Sequence, residues 1–442
     1  MSSVALSPGD ARAAAMSREA VTQYLRRVLK ADVEVRGLRP LGSAADIQDD
    51  PKGFGYGVPF EIECIVGGVA RSLVVSRTRP ARGFGHDYPA DRAWQALYGH
   101  EAYNSFPRHA RSLDVGVLSE SGELASVADA AEYFQLVEKV EGILYWRDLE
   151  RLLEAPLQEI DIARAEALAR FLVEVHAVKH DEPTLYQRRI RELVGHGECL
   201  MGILDSYPHP YPLLTPDVCE EIERAAVSAR WRLRSRAHRL SRAHGDFHPW
   251  NLLFRAGTDF SVLDRSRGTW GEPADDVAAL AINYLFYGLR SRLAQPFSFL
   301  FCAFLETYLR ESHDREILEV LPPFLAFRAL VIAHPTWYPE LSDPLRLALI
   351  HFARRMMTAA RFDPADARAP TSPCWTEAAA PGASRPTTSQ PWRSTISSTG
   401  FARASPSRSV SSSTRSWKPT SASRTTGRSS RSCRRSSHSV PS

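Results

Sequence analysis

The sequence predicts an α+β fold of two lobes, in which a small antiparallel-sheet lobe precedes a larger and mostly helical lobe. Strand-like patterns are concentrated before about residue 140, and helical periodicity dominates after it. The composition changes again at about residue 366, where Ser, Arg, Thr and Pro replace most large aliphatic residues. We therefore expect an N-terminal segment with a helix at 1–30, an N-lobe at 31–140, a C-lobe at 141–365 and a tail at 366–442.

The predicted N-lobe follows a helix expected at 18–30. Its strongest local signal is the pair Gly67 and Gly68, which separates two strand patterns. A two-residue loop of this kind accepts positive φ at both positions, so it predicts a β-hairpin. A helix is expected at 88–105, and strands are expected at 33–35, 60–66, 69–75, 114–118 and 133–137.

The predicted C-lobe is helical. Its clearest stripe repeats apolar residues at helical spacing, at Ile162, Leu168, Phe171, Leu172 and Val175. This spacing places them on one face, which predicts burial against neighbouring helices. Further helical patterns cover 188–206, 216–234, 274–290, 296–309 and 315–357.

The net charge of +4 is produced by the tail rather than by the predicted folded body. From Pro370 onward the chain has 11 Lys and Arg residues and the single acid Glu377. The remaining residues hold 44 Lys and Arg against 50 Asp and Glu, since the whole chain has 55 and 51. An acidic body does not predict nucleic-acid binding, and it suits a neutral or cationic small molecule.

The 6 cysteines are scattered and form no C-x-x-C pair, which favours a reduced, cytoplasmic setting. The first residues include Asp10 and no apolar core, so they do not predict a secretory signal. The most apolar stretch, at 297–305, is too short to cross a bilayer. We expect a cytoplasmic protein that does not enter a membrane.

The tail at 366–442 has too few apolar residues to offset the entropy of ordering it, so it is predicted to be disordered. The same composition is expected when G+C-rich DNA is translated out of frame, and a shifted reading frame is an alternative hypothesis. Nucleic-acid binding by a basic low-complexity tail is a third.

The segment with the most specific chemistry is 244–251, which has the pattern H-x-D-x-x-x-x-N. An apolar run from Phe260 follows it and ends at Asp264. Phosphoryl transfer needs a positioned hydroxyl group and neutralised phosphate charge. Asp246 can accept the proton of an attacking hydroxyl, while the oxygens of Asn251 and Asp264 suit a divalent cation. The spacing therefore favours a phosphotransferase.

These residues resemble the aminoglycoside phosphotransferase and choline kinase-like family, which is related to protein kinases. The family pattern H-G-D-x-H-x-x-N matches 244–251, and 271–276 supply the G-x-P-x-x-D that follows. The resemblance covers about residues 33–360. It implies a two-lobed protein kinase-like fold and transfer of the γ-phosphoryl group of ATP, with Mg²⁺, to a hydroxyl of a small molecule.

The resemblance also implies a role for each motif residue. Asp246 would be the catalytic base, and Asn251 and Asp264 would bind Mg²⁺. Asp276, at the start of a helix, would support the catalytic loop. Within the loop, the histidines would have the same supporting role; they are His244 and His248.

The nucleotide side of the site departs from the family pattern. A kinase-like third strand carries a Lys that contacts the phosphates, whereas this strand ends at Arg77. Arginine keeps the charge but replaces a compact ammonium with a planar fork. Arg77 is the first candidate for the phosphate contact and Lys52 is an alternative; a solvent-facing Arg77 is left open. The following helix should supply an acidic partner, for which we prefer Asp91 over Asp87 and Glu101.

Three alternating glycines lie upstream of the hairpin, at Gly53, Gly55 and Gly57. They allow close approach of the backbone to a ligand and resemble a phosphate-covering loop. A flexible turn is the alternative interpretation.

Other protein classes remain as hypotheses. A nucleotide-binding pseudokinase or regulatory module is motivated by Arg77. A metal-dependent hydrolase would use His244, Asp246 and His248 as ligands, although it does not explain the spacing to Asn251. A protein kinase is disfavoured because the sequence has no D-F-G and no A-P-E. The acceptor, whether an aminoglycoside, an amino alcohol or a sugar, and the oligomeric state are left open.

Overall fold

The computed structural model describes residues 16–40, 57–78, 85–265, 267–291 and 295–365. Its first elements combine two helices with antiparallel strands. They are α1 (Arg18–Leu29), β1 (Val33–Pro40), β2 (Gly57–Val66), β3 (Val69–Thr78), α2 (Pro89–Ser105), β4 (Gly116–Leu118) and β5 (Leu124–Ser126).

The later elements are mostly helical. They are β6 (Ile143–Leu144), α3 (Tyr145–Arg151), α4 (Glu159–His176), α5 (Pro183–Gly195), α6 (Leu200–Ser206), α7 (Pro216–Leu233), β7 (Ser241–Arg242), β8 (Leu252–Phe254), β9 (Phe260–Val262), β10 (Trp270–Gly271), α8 (Pro273–Arg290), α9 (Gln295–Ser312), α10 (Ile317–Ala333) and α11 (Asp343–Thr358). Two 3₁₀ turns, Ala237–Arg239 and Pro249–Asn251, precede β7 and β8 respectively. The predicted α+β architecture, with a small antiparallel sheet followed by a larger helical part, is confirmed.

Strands β1, β2 and β3 form an antiparallel sheet in that order. Val66 pairs with Val69 across the β2–β3 turn, and Gly67 and Gly68 between them have φ of 55° and 83°. Because residues with a Cβ rarely adopt positive φ at two consecutive positions, the glycines fix both the turn and the register of the strands. The predicted hairpin is confirmed.

Helix α1 covers part of this sheet. It begins after Ser17, whose side-chain oxygen accepts a hydrogen bond from the Ala20 N–H at 3.0 Å. Val21 and Leu25 are one turn apart and both are buried. They pack with apolar residues of β1 and β2 in a small separate core, namely Val33, Val35, Ile62 and Cys64.

The main core lies among the helices from α3 onward. Helices α8 and α10 are buried along almost their whole lengths. Helix α10 packs against α8 and α11, and α8 also packs against α9. A helix that is apolar on all sides is stable only when protein surrounds it, so α8 and α10 form the centre of this region.

The strand expected at 133–137 is wrong. These residues belong to no strand, and Phe134 and Leu136 are 92% and 91% exposed. An apolar run forms a strand only where a neighbouring strand accepts its hydrogen bonds, and no strand of the described residues pairs with this run. Sequence pattern alone does not reveal whether that neighbour exists.

The helices expected at 188–206 and 315–357 are each divided into two. The first is interrupted at 196–199 and the second at 334–342. The second interruption contains Pro335 and Pro339, which lack the backbone N–H that a helix interior requires.

Several predictions fall on residues outside the described ranges, which include Lys52, Gly53, Gly55 and the tail at 366–442. These predictions and the proposed domain bounds are unchanged. Within the described ranges, no helix is both long enough and apolar enough to cross a membrane.

Replacing Gly68 by Ala should lower the free energy of unfolding by about 1–2 kcal/mol, because an L side chain disfavours the left-handed backbone region. A Cβ added here has no neighbour within 4 Å, so backbone strain rather than a clash is the cause. Urea unfolding measures the loss. Gly68→Asn is the control and should lose less, since Asn tolerates positive φ. Equal losses in the two variants would contradict this explanation.

Candidate active site

Residues 244–251 form a loop between β7 and β8, and the β8–β9 hairpin follows it directly. Gly245 has φ of 86°, and a Cβ at this position would lie 2.8 Å from the Arg267 Cβ. Only glycine fits this position without a shift of the neighbouring chain. The Leu263 N–H donates to the Asn251 carbonyl at 2.9 Å, which places Asp264 beside the end of the loop.

The loop is anchored by the carboxylate of Asp276, in the first turn of α8. This side chain is fully buried; its Oδ2 accepts from the His244 N–H at 2.7 Å, and its Oδ1 accepts from the Gly245 N–H at 2.6 Å. His176 Nε2 lies 3.1 Å from Oδ2. Burial alone would raise the pKa of the Asp276 carboxyl, but the hydrogen bonds that it accepts from the His176 side chain and the His244 N–H outweigh burial and lower this pKa overall. Asp276 therefore presents two ionised acceptors to the loop backbone.

His244 connects the loop to the end of β9. Its Nε2 lies 2.9 Å from the Leu263 carbonyl, and its Nδ1 lies 3.2 Å from the Asp246 backbone nitrogen. A neutral ring with the proton on Nε2 satisfies both contacts, because Nε2 then donates and Nδ1 accepts. The Nδ1 lone pair is thus engaged by the backbone, which disfavours His244 as a zinc ligand in the hydrolase hypothesis.

Asp246 lies in the middle of the loop, and its side chain is 21% exposed. Arg328 donates to its Oδ1 at 2.5 Å, and His248 Nε2 lies 3.4 Å from its Oδ2. Burial alone would raise the pKa of the Asp246 carboxyl, but Arg328 and His248 outweigh burial and hold this pKa well below its ordinary value. Asp246 is therefore a stable carboxylate, with one oxygen held by Arg328.

Arg328 was not found by sequence reasoning. It is contributed by α10, far along the chain from the loop, and also donates to the Gly245 carbonyl at 2.8 Å and to Asp275 Oδ1 at 2.7 Å. One signal was available in the sequence: Arg328 is the only basic residue in an otherwise largely apolar helical segment. A buried guanidinium is costly unless carboxylates or carbonyls pair with it. A lone basic residue in an apolar helix is therefore a candidate partner for a buried carboxylate.

Asn251 and Asp264 supply side-chain oxygen atoms where the loop meets the end of β9. The Asn251 Nδ2 donates to the Asp246 carbonyl at 3.0 Å, which orients the side-chain amide. Across the described residues no donor reaches Asn251 Oδ1. Asp264 is exposed and has φ of 55°, a conformation that turns the chain away from β9 immediately after the strand. An amide oxygen and a carboxylate are hard oxygen ligands that suit Mg²⁺.

Aromatic side chains pack around the outer end of the loop. Trp250 stacks on Trp146 with ring centroids 6.3 Å apart, and meets Tyr338 edge to face at 6.1 Å. The His248 ring lies 5.9 Å from that of Trp250. These contacts immobilise the segment between Asp246 and Asn251.

Of the residues predicted to bind the nucleotide, Gly57, Arg77 and Asp91 lie within the described ranges. Arg77 lies near the end of β3, and the strand register pairs its neighbour Thr78 with Gly57 at the start of β2. The carboxylate of Asp91 accepts hydrogen bonds from Arg188 at 2.7 and 2.9 Å and from the Tyr88 N–H at 2.8 Å.

The partner that the structure shows for Asp91 is therefore Arg188, from α5. Arg188 also donates to Asp87 at 2.6 Å, so α2 is tied to the helical part of the chain. The pairing of Asp91 with Arg77 was expected from the order of elements. The sequence offered no sign that α5 brings Arg188 to the same carboxylate, because the two are far apart in the chain.

The small antiparallel sheet, the helical lobe and the carboxylate-anchored loop together agree with the two-lobed phosphotransferase that the sequence motifs predict. Residues 66–314, more than half of the chain, match the family model described as "APH: Phosphotransferase enzyme family". The chain belongs to this family, as the motifs predicted, and is a phosphotransferase that acts on small molecules.

Solved structures also show similarity, at low sequence identity. Aminoglycoside phosphotransferase APH(2'')-Ib with ADP is 14% identical, with a TM-score of 0.30 and coverage of 77% of this chain and 99% of that chain. Amicoumacin kinase hAmiN is 16% identical, with a TM-score of 0.36 and coverage of 74% and 91%. Choline kinase LicA from Streptococcus pneumoniae is 12% identical, with a TM-score of 0.29 and coverage of 77% and 98%. No curated protein sequence matches. The family assignment therefore rests on the family model.

Replacing Asp276 by Asn should destabilise the protein by about 1–3 kcal/mol, because an amide offers one acceptor oxygen where two backbone N–H groups need partners. Chemical unfolding at neutral pH measures this loss. Asp181→Asn changes an exposed acid ahead of α5 and serves as the matched control, with no expected change. If Asp276→Asn is as stable as the wild type, the loop is not anchored by this carboxylate.

Proposed function

We propose that the protein transfers the γ-phosphoryl group of ATP to a hydroxyl of a small molecule in a Mg²⁺-dependent reaction. The observation that supports this most directly is the placement of Asp246, Asn251 and Asp264 around one end of the β8–β9 hairpin. The Asp246 carboxylate is held by Arg328, the Asn251 amide is held by the Asp246 carbonyl, and Asp264 follows the end of β9. Such an arrangement suits a reaction in which positioning and charge neutralisation supply most of the rate enhancement.

In this proposal Asp246 orients the acceptor hydroxyl and accepts its proton. Its Oδ1 is held by Arg328, while the contact of Oδ2 with His248 Nε2 is longer, at 3.4 Å. Because the side chain is partly exposed, a hydroxyl group can approach Oδ2 from solvent. Because Arg328 fixes Oδ1, it also fixes the position of Oδ2. Oδ2 then determines the direction from which the hydroxyl oxygen faces the phosphate.

Asn251 and Asp264 would hold the metal ion in this proposal. The Asn251 amide nitrogen is committed to the Asp246 carbonyl, so its oxygen is the atom left for a cation. Asp264 adds a carboxylate on an exposed turn. When bound, Mg²⁺ neutralises phosphate charge and positions the phosphate oxygens.

We assign the nucleotide phosphates to the edge of the sheet where β3 ends and β2 begins. Gly57, the last of the three alternating glycines, pairs there with Thr78, the neighbour of Arg77. A guanidinium can bind phosphate oxygens in a bidentate manner, which makes Arg77 a workable replacement for the expected Lys. Lys52 is the second basic candidate, and Asp91 would contribute indirectly by fixing α2.

The acceptor in this proposal is an aminoglycoside, an amino alcohol, a sugar or a similar hydroxyl compound. The acidic balance outside the tail suits acceptors that carry amines. The aromatic group of Trp250, Trp146 and Tyr338 offers ring faces beside the loop. An ADP-release assay over a panel of amines, sugars and aminoglycosides identifies the acceptor.

Asp246→Asn should reduce turnover by roughly 10²–10⁴-fold, because the amide cannot accept the hydroxyl proton. Nucleotide affinity should persist, since Asp246 faces the acceptor in this proposal. The assay compares phosphoryl transfer with the thermal shift produced by Mg-ATP. Full turnover by Asp246→Asn would refute the proposed function, and a wild type that binds nucleotide without transferring phosphate to any acceptor would favour the pseudokinase hypothesis.

Asp264→Asn should raise the Mg²⁺ concentration needed for half-maximal turnover by roughly tenfold or more, because a charged ligand is lost. The matched control is Asp259→Asn, which alters another exposed acid of the same hairpin, bound by Arg255 at 2.7 Å. The control should keep the wild-type Mg²⁺ requirement. The same requirement in Asp264→Asn would exclude this carboxylate as a metal ligand.

A further inference from the structure

Arg328 is an unusual residue in its surroundings. Its side chain is only 7% exposed, and it lies in the buried helix α10 between Phe327 and Ala329. Taking a guanidinium out of water costs several kcal/mol, and only a close set of acceptors offsets that cost. The acceptors that it uses therefore indicate what the residue does.

The two terminal nitrogens of Arg328 carry all its polar contacts among the described residues. Nη1 donates to Asp246 Oδ1 at 2.5 Å, and Nη2 donates to the Gly245 carbonyl at 2.8 Å and to Asp275 Oδ1 at 2.7 Å. The Nε atom is buried without a hydrogen-bond partner in these ranges. Because the guanidinium is planar, binding Gly245 and Asp275 with one nitrogen fixes where the other nitrogen holds Asp246.

Arg328 and Asp276 hold the same loop residue from two sides. Asp276 accepts from the Gly245 N–H at 2.6 Å, while Arg328 donates to the Gly245 carbonyl at 2.8 Å. The backbone of Gly245 is thus fixed at both ends. Arg328 also donates to the carboxylate of the next residue, Asp246. One guanidinium therefore fixes both the Gly245 backbone and the Asp246 side chain.

We propose that Arg328 is a positioning residue for phosphoryl transfer, which holds the Asp246 carboxylate in the orientation that receives the acceptor hydroxyl. This inference rests on the proposed function of Asp246. Arg328 acts on the rate through Asp246 and makes no contact with the nucleotide. Its removal therefore lowers kcat and leaves nucleotide affinity in place.

The decisive experiment is a double-mutant cycle on kcat between Arg328→Lys and Asp246→Asn. Lysine keeps the charge, but a single ammonium cannot span Gly245, Asp246 and Asp275 with fixed geometry. Arg328→Lys should lower kcat by roughly 10- to 100-fold, the scale expected for a misplaced reacting group. In the Asp246→Asn background the same change should have almost no effect, because there is no carboxylate left to orient.

A purely structural role predicts a different pattern. In that case Arg328→Lys would lower the amount of active protein by the same factor in the wild-type and Asp246→Asn backgrounds. The dissociation constant for Mg-ATP, from a thermal-shift or fluorescence titration, provides a readout that does not depend on turnover. It should be the same in the wild type and in Arg328→Lys.

Arg239 supplies a matched control for loss of a buried arginine. Its side chain is 4% exposed and it bridges Glu272 and Asp314, at 2.8 Å from each; within the described residues it has no recorded hydrogen bond to residues 244–251. Arg239→Lys should reduce thermal stability but leave the kcat of the folded protein unchanged. If Arg328→Lys does not fold, Arg328→Gln, whose amide nitrogen retains two N–H donors without the charge, enters the same cycle.

The outcomes separate the two proposals. A large kcat loss that disappears in the Asp246→Asn background supports the positioning role. An equal loss in both backgrounds, no loss at all, or a weakened Mg-ATP affinity overturns it and leaves the proposed function standing. Full turnover by Asp246→Asn alone refutes the proposed function itself.

Discussion

The site depends on one buried carboxylate, that of Asp276. It accepts hydrogen bonds from the backbone N–H groups of two consecutive loop residues, His244 and Gly245. A carboxylate is tolerated in a fully buried position only when hydrogen bonds replace its water. The loop N–H groups therefore stabilise the buried charge of Asp276, and Asp276 in turn fixes the conformation of the loop. The position in the first turn of α8 adds the favourable field of the helix N-terminus. The loop geometry thus depends on one of the two helices at the centre of the core.

The support extends outward from this carboxylate through α4 and α9. His176, at the end of α4, contacts Asp276, and its other ring nitrogen lies 2.9 Å from the hydroxyl of Tyr308 in α9. Arg328 reaches the same loop from α10. Elements distant in sequence therefore converge on a loop of eight residues. This convergence holds the loop in a single conformation, although its only regular secondary structure in the described residues is the 3₁₀ turn Pro249–Asn251.

Local features were predictable from the sequence, and long-range contacts were not. The turn at Gly67 and Gly68 was predictable because positive φ at two positions leaves few other residue choices. The loop at 244–251 was predictable because its motif residues lie within one short segment of the sequence. Arg328 and Arg188 were missed because each acts on a carboxylate about 80 to 100 residues away in the chain. The run at 133–137 was misjudged for a similar reason, since strand formation depends on a partner that the local pattern does not encode.

The contact between Arg328 and Asp246 bears on how this carboxylate works. A neighbouring guanidinium and His248 hold the pKa of Asp246 well below its ordinary value, so Asp246 is a weak base. A reaction that required strong proton abstraction would select the opposite environment, in which burial raises the carboxylate pKa. Phosphoryl transfer through a loose transition state needs little deprotonation before the bond to the phosphate leaving group is largely broken. The arrangement favours orientation over basicity: Arg328 lowers the affinity of Asp246 for a proton, and in the proposed mechanism it holds Oδ1 so that Oδ2 faces the acceptor hydroxyl.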